Sequence, residues 1–165
     1  MVTPTVTPAE IAGAVRDPEM PMLTLADLGV LRGVEERDGE VVVTLTPTYS
    51  GCPAMAAMRD DVVRDLAAAG WTARVEVALA PAWSSDWITE RGRAALREHG
   101  VSAPGPAPAH EGPVPLRLLP TARALRCPRC GSAHTQLTSE YAATACTALY
   151  RCRDCGEPFP HVKEV

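Results

Sequence analysis

Three things are scarce in this chain. Aromatic residues make up 4% of its 165 positions, as one Phe, three Trp and three Tyr. Lysine occurs once, at Lys163, and the net charge is -4. No run approaches the ~18 apolar residues that a membrane helix needs. The scarcity of aromatics means that the 46% hydrophobic content is mainly Ala, Val and Leu. The lack of basic excess disfavours nucleic acid as a partner, because non-specific binding depends on Lys and Arg releasing counterions. The missing apolar run excludes a membrane helix as a reading of any segment. Residues 1–8 have neither a positive n-region nor an apolar h-region, so no secretory signal is expected. A large multidomain enzyme is excluded by length; one domain, or one with a small annex, is the expectation. The expected compartment is the cytoplasm. In that reducing setting, paired cysteines point to metal or redox chemistry rather than to a disulfide scaffold.

Proline and cysteine are what the chain has to spare, with 16 and six residues. Six of the prolines fall in residues 103–122, which lack apolar periodicity and read as a semi-extended linker. That divides the chain into residues 1–102, the linker 103–122, and a small domain at 123–165. Charge divides with it. Residues 1–100 carry nine basic against fifteen acidic side chains, and residues 101–165 carry seven against five.

In the first part, Thr7-Pro8-Ala9-Glu10 has the form of a capping box that opens a helix running to about Arg16. Asp17-Pro18-Glu19-Met20-Pro21 breaks it, and a short capped turn follows at residues 24–28. Strands at residues 30–36 and 41–46 flank a turn containing Asp38-Gly39, a strong hairpin signal. Pro53 opens a second helix with apolar positions Met55, Met58, Val62, Leu66 and Ala69. Residues 74–80 alternate Val75, Val77 and Leu79 against Arg74, Glu76 and Ala78, as in a half-buried strand. A third helix spans about residues 89–99, with Trp83 and Trp87 expected to pack it or, as the alternative, to form an interaction surface. The fold class is therefore α+β: a small three-stranded sheet packed with helices, followed by a four-cysteine, zinc-ribbon-like β domain.

Cys127-Pro128-Arg129-Cys130-Gly131 and Cys152-Arg153-Asp154-Cys155-Gly156 are two Cys-x-x-Cys-Gly knuckles. Two such knuckles make one tetrahedral site, because the two-residue gap lets both thiolates of a knuckle reach one ion. A domain of this size needs such a centre, since its own apolar core is too small to hold it. Structural zinc is the expected occupant of Cys127, Cys130, Cys152 and Cys155, with iron or an iron-sulfur cluster as the alternative. A closed four-cysteine site has no open position for catalysis. His134 and His161 are expected at the surface. Cys146 reads either as a packed residue or as a reserve thiol. Cys52, isolated before Pro53, reads either as packed or as an N-cap whose thiolate the helix end would favour. Asp17 and Glu19, flanking prolines, read first as a solvated turn or cap and otherwise as accessory ligands that assist a metal at Cys52.

At these residues the chain resembles a known family. Asp17-Pro18-Glu19-Met20-Pro21, Asp27-Leu28-Gly29-Val30 and Thr46-Pro47-Thr48-Tyr49-Ser50-Gly51-Cys52-Pro53 look like the signature of the SufT-like metal-sulfur cluster biosynthesis domain. Joined to Pro81-Ala82-Trp83-Ser84-Ser85-Asp86-Trp87 and the two knuckles, they resemble the PaaD (PaaJ) family, accessory components of phenylacetyl-CoA 1,2-epoxidases. The chain departs from that pattern at Ala142-Ala143, at Thr147 and in its last six residues. The resemblance implies a non-catalytic accessory subunit of phenylacetate catabolism that assists assembly of iron or iron-sulfur centres. Cys52 would be the transient iron or cluster ligand. The implied partners are the diiron oxygenase subunits and the iron-sulfur reductase of the epoxidase, with a homodimer left open and neither membrane nor nucleic acid expected. A nucleic-acid-binding zinc ribbon and a thiol enzyme using Cys52 are the alternatives from other classes.

Overall fold

The computed structural model describes residues 6–107 and 125–165. These residues fall into two compact units, one drawn from Met1–Trp83 and Trp87–Gly92, the other from Ser84–Asp86 and Arg93–Val165. Of the expected linker, residues 108–122 lie outside the described residues.

Helix α1 (Pro8–Ala14) opens on the expected capping box: the Glu10 amide donates to Thr7 Oγ1 and the Thr7 amide donates to Glu10 Oε2. It ends before Arg16 because the chain turns there. Arg16 bridges to Thr24, and the buried Asp17 carboxylate accepts the amides of Glu19 at 2.7 Å and Met20 at 2.8 Å. A second capping box, Thr24 with Asp27, starts the single turn α2 (Leu25–Leu28). Strands β1 (Leu31–Arg37) and β2 (Glu40–Leu45) pair antiparallel through Asp38 and Gly39, whose φ values of 54° and 80° suit a two-residue turn with positive φ at both positions.

β3 (Ala73–Val77) pairs parallel with β2, giving the sheet order β1-β2-β3. A parallel pair needs a crossover, and α3 (Ala54–Ala68) supplies it. Ala54, Met58, Val62 and Leu66 form its buried stripe. Met55 is only half-buried, and Ala69 is the exposed C-cap beyond the last helical residue. β3 is an edge strand and ends earlier than its alternation suggests: Val77, its last residue, is 43% exposed, and Leu79, beyond it, is 60% exposed.

The first unit turns on Asp27. Its carboxylate, 5% exposed, accepts Thr24 Oγ1 at 2.8 Å, Thr89 Oγ1 at 2.9 Å and Arg91 Nε at 2.8 Å. Burial pushes the Asp27 carboxyl up, but the bonds from Arg91, Thr24 and Thr89 outweigh it and hold the group below the usual carboxylate range. The neighbours of Asp27 are gripped too. Trp83 Nε1 donates to the Leu28 carbonyl at 2.9 Å. Gly29 has φ +73°, and a Cβ there would lie 2.6 Å from Trp87 Cβ. Arg32 covers the Trp87 ring at 3.7 Å. The two tryptophans thus pack the segment leading into α4 (Glu90–Glu98), as expected.

The second unit holds an antiparallel sheet in the order β4 (Thr135–Ser139), β5 (Thr147–Cys152), β6 (Pro158–Val162). Ser102 lies parallel beside β6, its amide donating to the Pro160 carbonyl at 2.9 Å and its carbonyl accepting the Val162 amide at 3.1 Å. His161 corrects its expected surface position: it is 3% exposed. Alternation along β6 turns Phe159 and His161 to the same side, where both meet Tyr150 at centroid distances of 6.1 and 5.7 Å. Polar partners make the buried imidazole tolerable. Nδ1 lies 3.0 Å from Ser102 Oγ, and Nε2 lies 3.4 Å from the Glu164 carboxylate, which also accepts the Gly105 amide at 3.0 Å. Burial pushes Glu164 up, but the His161 imidazole and the Gly105 amide outweigh it and take the carboxyl down to about 2.

These contacts set stability in two measurable ways. A carboxyl depressed in the folded state stabilises fully above its unfolded pKa and loses that contribution as pH falls toward the folded value. Between pH 6 and pH 3, wild-type protein should lose on the order of 2 kcal/mol more than Glu164→Gln, read by urea unfolding of the full chain; equal slopes for the two proteins would contradict this. Gly29→Ala should cost about 2 kcal/mol in the same assay at neutral pH, through its left-handed backbone and the clash with Trp87.

Candidate functional site

Both knuckles fold as tight turns closed by glycine. The Gly131 amide donates to the Cys127 carbonyl at 2.8 Å, and the Gly156 amide donates to the Cys152 carbonyl at 3.0 Å. Gly131 and Gly156 have φ of +76° and +77°, which is why glycine follows each second cysteine. β5 delivers Cys152 at its end, opposite Thr135 on β4. The four sulfurs converge: those of Cys127, Cys130, Cys152 and Cys155 all lie within 4.8 Å of one another. Cys127 and Cys152 are buried, whereas Cys130 and Cys155 are exposed.

A tetrahedron with metal–sulfur bonds of ~2.3 Å has edges of about 3.8 Å. The Cys127–Cys155 and Cys130–Cys152 sulfur separations are 3.7 and 3.6 Å, so the cradle fits one ion of that kind. Backbone amides support it. Those of Cys155 and Asp154 point at Cys152 Sγ and bring its thiol down to about 7. At Cys130 the Ser132 amide favours the thiolate, yet burial and the crowding thiols outweigh it and push the group up to about 12. Four thiols this close cannot all ionise without a cation among them. The chemistry such an ion supplies is cross-linking, since four thiolates leave no position for substrate or water.

Cys52 lies in the other unit, in the turn between β2 and α3. Its amide donates to the Tyr49 carbonyl at 3.2 Å, and its own carbonyl accepts the Met55 amide at 3.3 Å. Its expected place as N-cap is corrected: the cap is Pro53, whose ring fixes φ near the helical value and which makes no side-chain capping bond. Cys52 therefore stands one residue before the cap, half-buried, in the loop after β2. Because β2 and β3 run parallel, this loop is at the carboxyl end of both strands, where open α/β sheets place ligand sites.

The remaining candidates stand apart. Among the described residues the four knuckle cysteines are the one group of three or more Cys, His, Asp or Glu side chains placed to hold an ion; Asp17, Glu19 and Cys52 are not brought together in this way. The Asp17 carboxylate is committed to its local turn. Burial and the charge of Asp17 raise the Glu19 carboxyl. Cys146 lies just before β5, half-buried, with its sulfur 3.1 Å from Thr144 Oγ1. His134 is at the surface as expected, its Nδ1 3.2 Å from the Asp154 carboxylate. The Asp27 hub is not foreseen from sequence. A capping-box spacing flags Thr24 and Asp27, but nothing local signals Thr89 and Arg91.

Comparison with known proteins bears on both units. The family model described as the PaaD zinc beta ribbon domain matches residues 111–163, which contain all four knuckle cysteines. The model described as an iron-sulfur cluster assembly protein matches residues 13–79, which contain Cys52. A protein of Escherichia coli (strain K12), named as the putative D component of 1,2-phenylacetyl-CoA epoxidase, is 43% identical over 150 residues, covering 90% of this chain and 86% of that protein. This chain belongs to the PaaD family. This PaaD-family chain also has a solved neighbour over about half of its length. It is similar to the crystal structure of a domain of unknown function, DUF59, from Bacillus anthracis, at 27% identity and a TM-score of 0.50, covering 54% of this chain and 87% of that one. No helix among the described residues is long and apolar enough to cross a membrane.

Removing the ion should dismantle the second unit selectively. Treating the full chain with a strong chelator, or making Cys152→Ser, should collapse the amide signals of β4–β6 into the unfolded range while those of β1–β3 keep their dispersion. Retention of the β4–β6 signals in the metal-free chain would refute a folding role for the centre.

Proposed function

We propose that this PaaD-family chain is a non-catalytic accessory subunit of a phenylacetyl-CoA 1,2-epoxidase, acting in the cytoplasm to assist assembly of iron or iron-sulfur centres in that system. Cys52 is the transient ligand for the iron or cluster passed on. The observation that carries this reading is its placement: a half-buried thiol in the loop at the carboxyl end of a parallel strand pair, inside the region matched by the iron-sulfur assembly model. The four knuckle cysteines hold a structural zinc, which keeps the second unit folded and leaves delivery to the other unit. The partners are the diiron oxygenase subunits and the iron-sulfur reductase of the epoxidase.

The test is to produce the epoxidase components with the wild-type chain, without it, and with Cys52→Ala, then measure iron per oxygenase and reductase alongside epoxidation. Low iron and low activity are expected in the second and third cases. Full iron and activity without this chain would refute the proposal. Elemental analysis of the isolated wild-type and Cys52→Ala chains should give about one zinc each, by the closed coordination of four thiolates; iron in its place would assign the centre to iron or a cluster.

A further inference from the structure

Taken as six residues each, the two knuckles are alike bond for bond. In Cys127-Pro128-Arg129-Cys130-Gly131-Ser132 and in Cys152-Arg153-Asp154-Cys155-Gly156-Glu157, the amide of the first cysteine donates to the carbonyl of the sixth residue at 2.9 Å. The likeness extends across the gap between them. Arg129, third in one knuckle, pairs with Glu157, sixth in the other, at 2.5 Å. Asp154, third in the second knuckle, accepts the hydroxyl of Ser132, sixth in the first. The third position of each knuckle thus meets the sixth position of its counterpart, once as an ion pair and once as a charge-assisted hydrogen bond.

We infer that these reciprocal cross-braces position the two knuckles on each other and set how long the centre retains its ion. The inference rests on the reading of the four cysteines as a metal centre and deepens it. Loss of the ion requires its thiolates to part from it, and each knuckle carries two of the four. In this chain neither knuckle can lift without parting Arg129 from Glu157 and Ser132 from Asp154. An exposed ion pair alone contributes little, and Arg129 and Glu157 are 69% and 40% exposed. Here the pair acts together with a second brace on two rigid, glycine-closed turns. It also places the Arg129 guanidinium in the field of Cys155 and Cys127, where a positive charge offsets the excess negative charge of four thiolates around a divalent ion. Side chains just outside a ligand set typically change metal affinity by 10–100-fold when removed.

The experiment uses the full chain loaded with zinc(II) and follows release to an excess of coloured chelator. Arg129→Ala, Glu157→Gln and Asp154→Asn should each release zinc about tenfold faster or more. The exchange Arg129→Glu with Glu157→Arg should return release toward the wild-type rate, which a general loss of fold would not do. Arg64→Ala, on α3, serves as the control and should release like wild type. Cobalt(II) loading gives a readout independent of rate: tetrahedral thiolate bands should be the same in all variants, showing that the ligand set is intact. Release within twofold of wild type in every variant, or an exchange variant as fast as the single ones, would overturn the inference while leaving the metal centre standing. A wild-type chain that takes up neither zinc nor cobalt would overturn the metal-centre reading and the inference together.

Discussion

The second unit depends on four sulfurs held within 4.8 Å of one another by two turns that are distant in sequence. Its buried cluster is Cys127, Cys152 and Phe159, with Tyr150 packed against them, so two of the ligands are also core residues. A sheet of three short strands has too little apolar surface to offset its chain entropy. The cross-link compensates for that deficit, and the low aromatic content of the sequence is the other side of the same fact. The edge of the sheet is closed in a different way, with Ser102 laid along β6 and the buried His161–Glu164 pair tying Ser102 and Gly105 to it.

In the first unit the corresponding centre is a carboxylate. Asp27 gathers bonds from Thr24, Thr89 and Arg91, and its neighbours Leu28 and Gly29 are pressed against Trp83 and Trp87. This joins the turn before β1 to the segment that follows β3. Between those segments lies the β2–α3–β3 crossover, whose first loop carries Cys52. The two units therefore hold their cysteines in opposite ways. One gathers four thiols, two of them buried, around a single point, while the other holds Cys52 half-buried in the loop after β2.

What could be read from sequence was local. The capping box at Thr7 and Glu10, the Asp38-Gly39 turn, the Met58–Val62–Leu66 stripe and both knuckles each depend on residues within a few positions of one another, and each is present. What could not be read was set by distant neighbours. Val77 and Leu79 alternate like buried residues, yet Val77 closes the edge strand β3, Leu79 lies beyond it, and both are exposed. His161 looks like a surface histidine until Ser102 and Glu164 are placed on its two nitrogens. The cap of α3 falls on Pro53 rather than Cys52, a shift of one residue that pattern alone does not resolve. The pairing of Ser132 with Asp154 and of Arg129 with Glu157 is invisible until the knuckles face each other.

The proposed division of labour sets a fixed ion at the knuckles against a passing one at Cys52. It is tested most directly by loading the full chain with 57Fe under reducing conditions, mixing it with iron-depleted epoxidase reductase or oxygenase, and following label and zinc separately by Mössbauer spectroscopy and elemental analysis. The label is expected to move to the client from wild-type protein but not from Cys52→Ala, while zinc stays with the four knuckle cysteines in both. Label that transfers equally well without the Cys52 thiol, or that leaves only when the knuckle ion leaves, would contradict it.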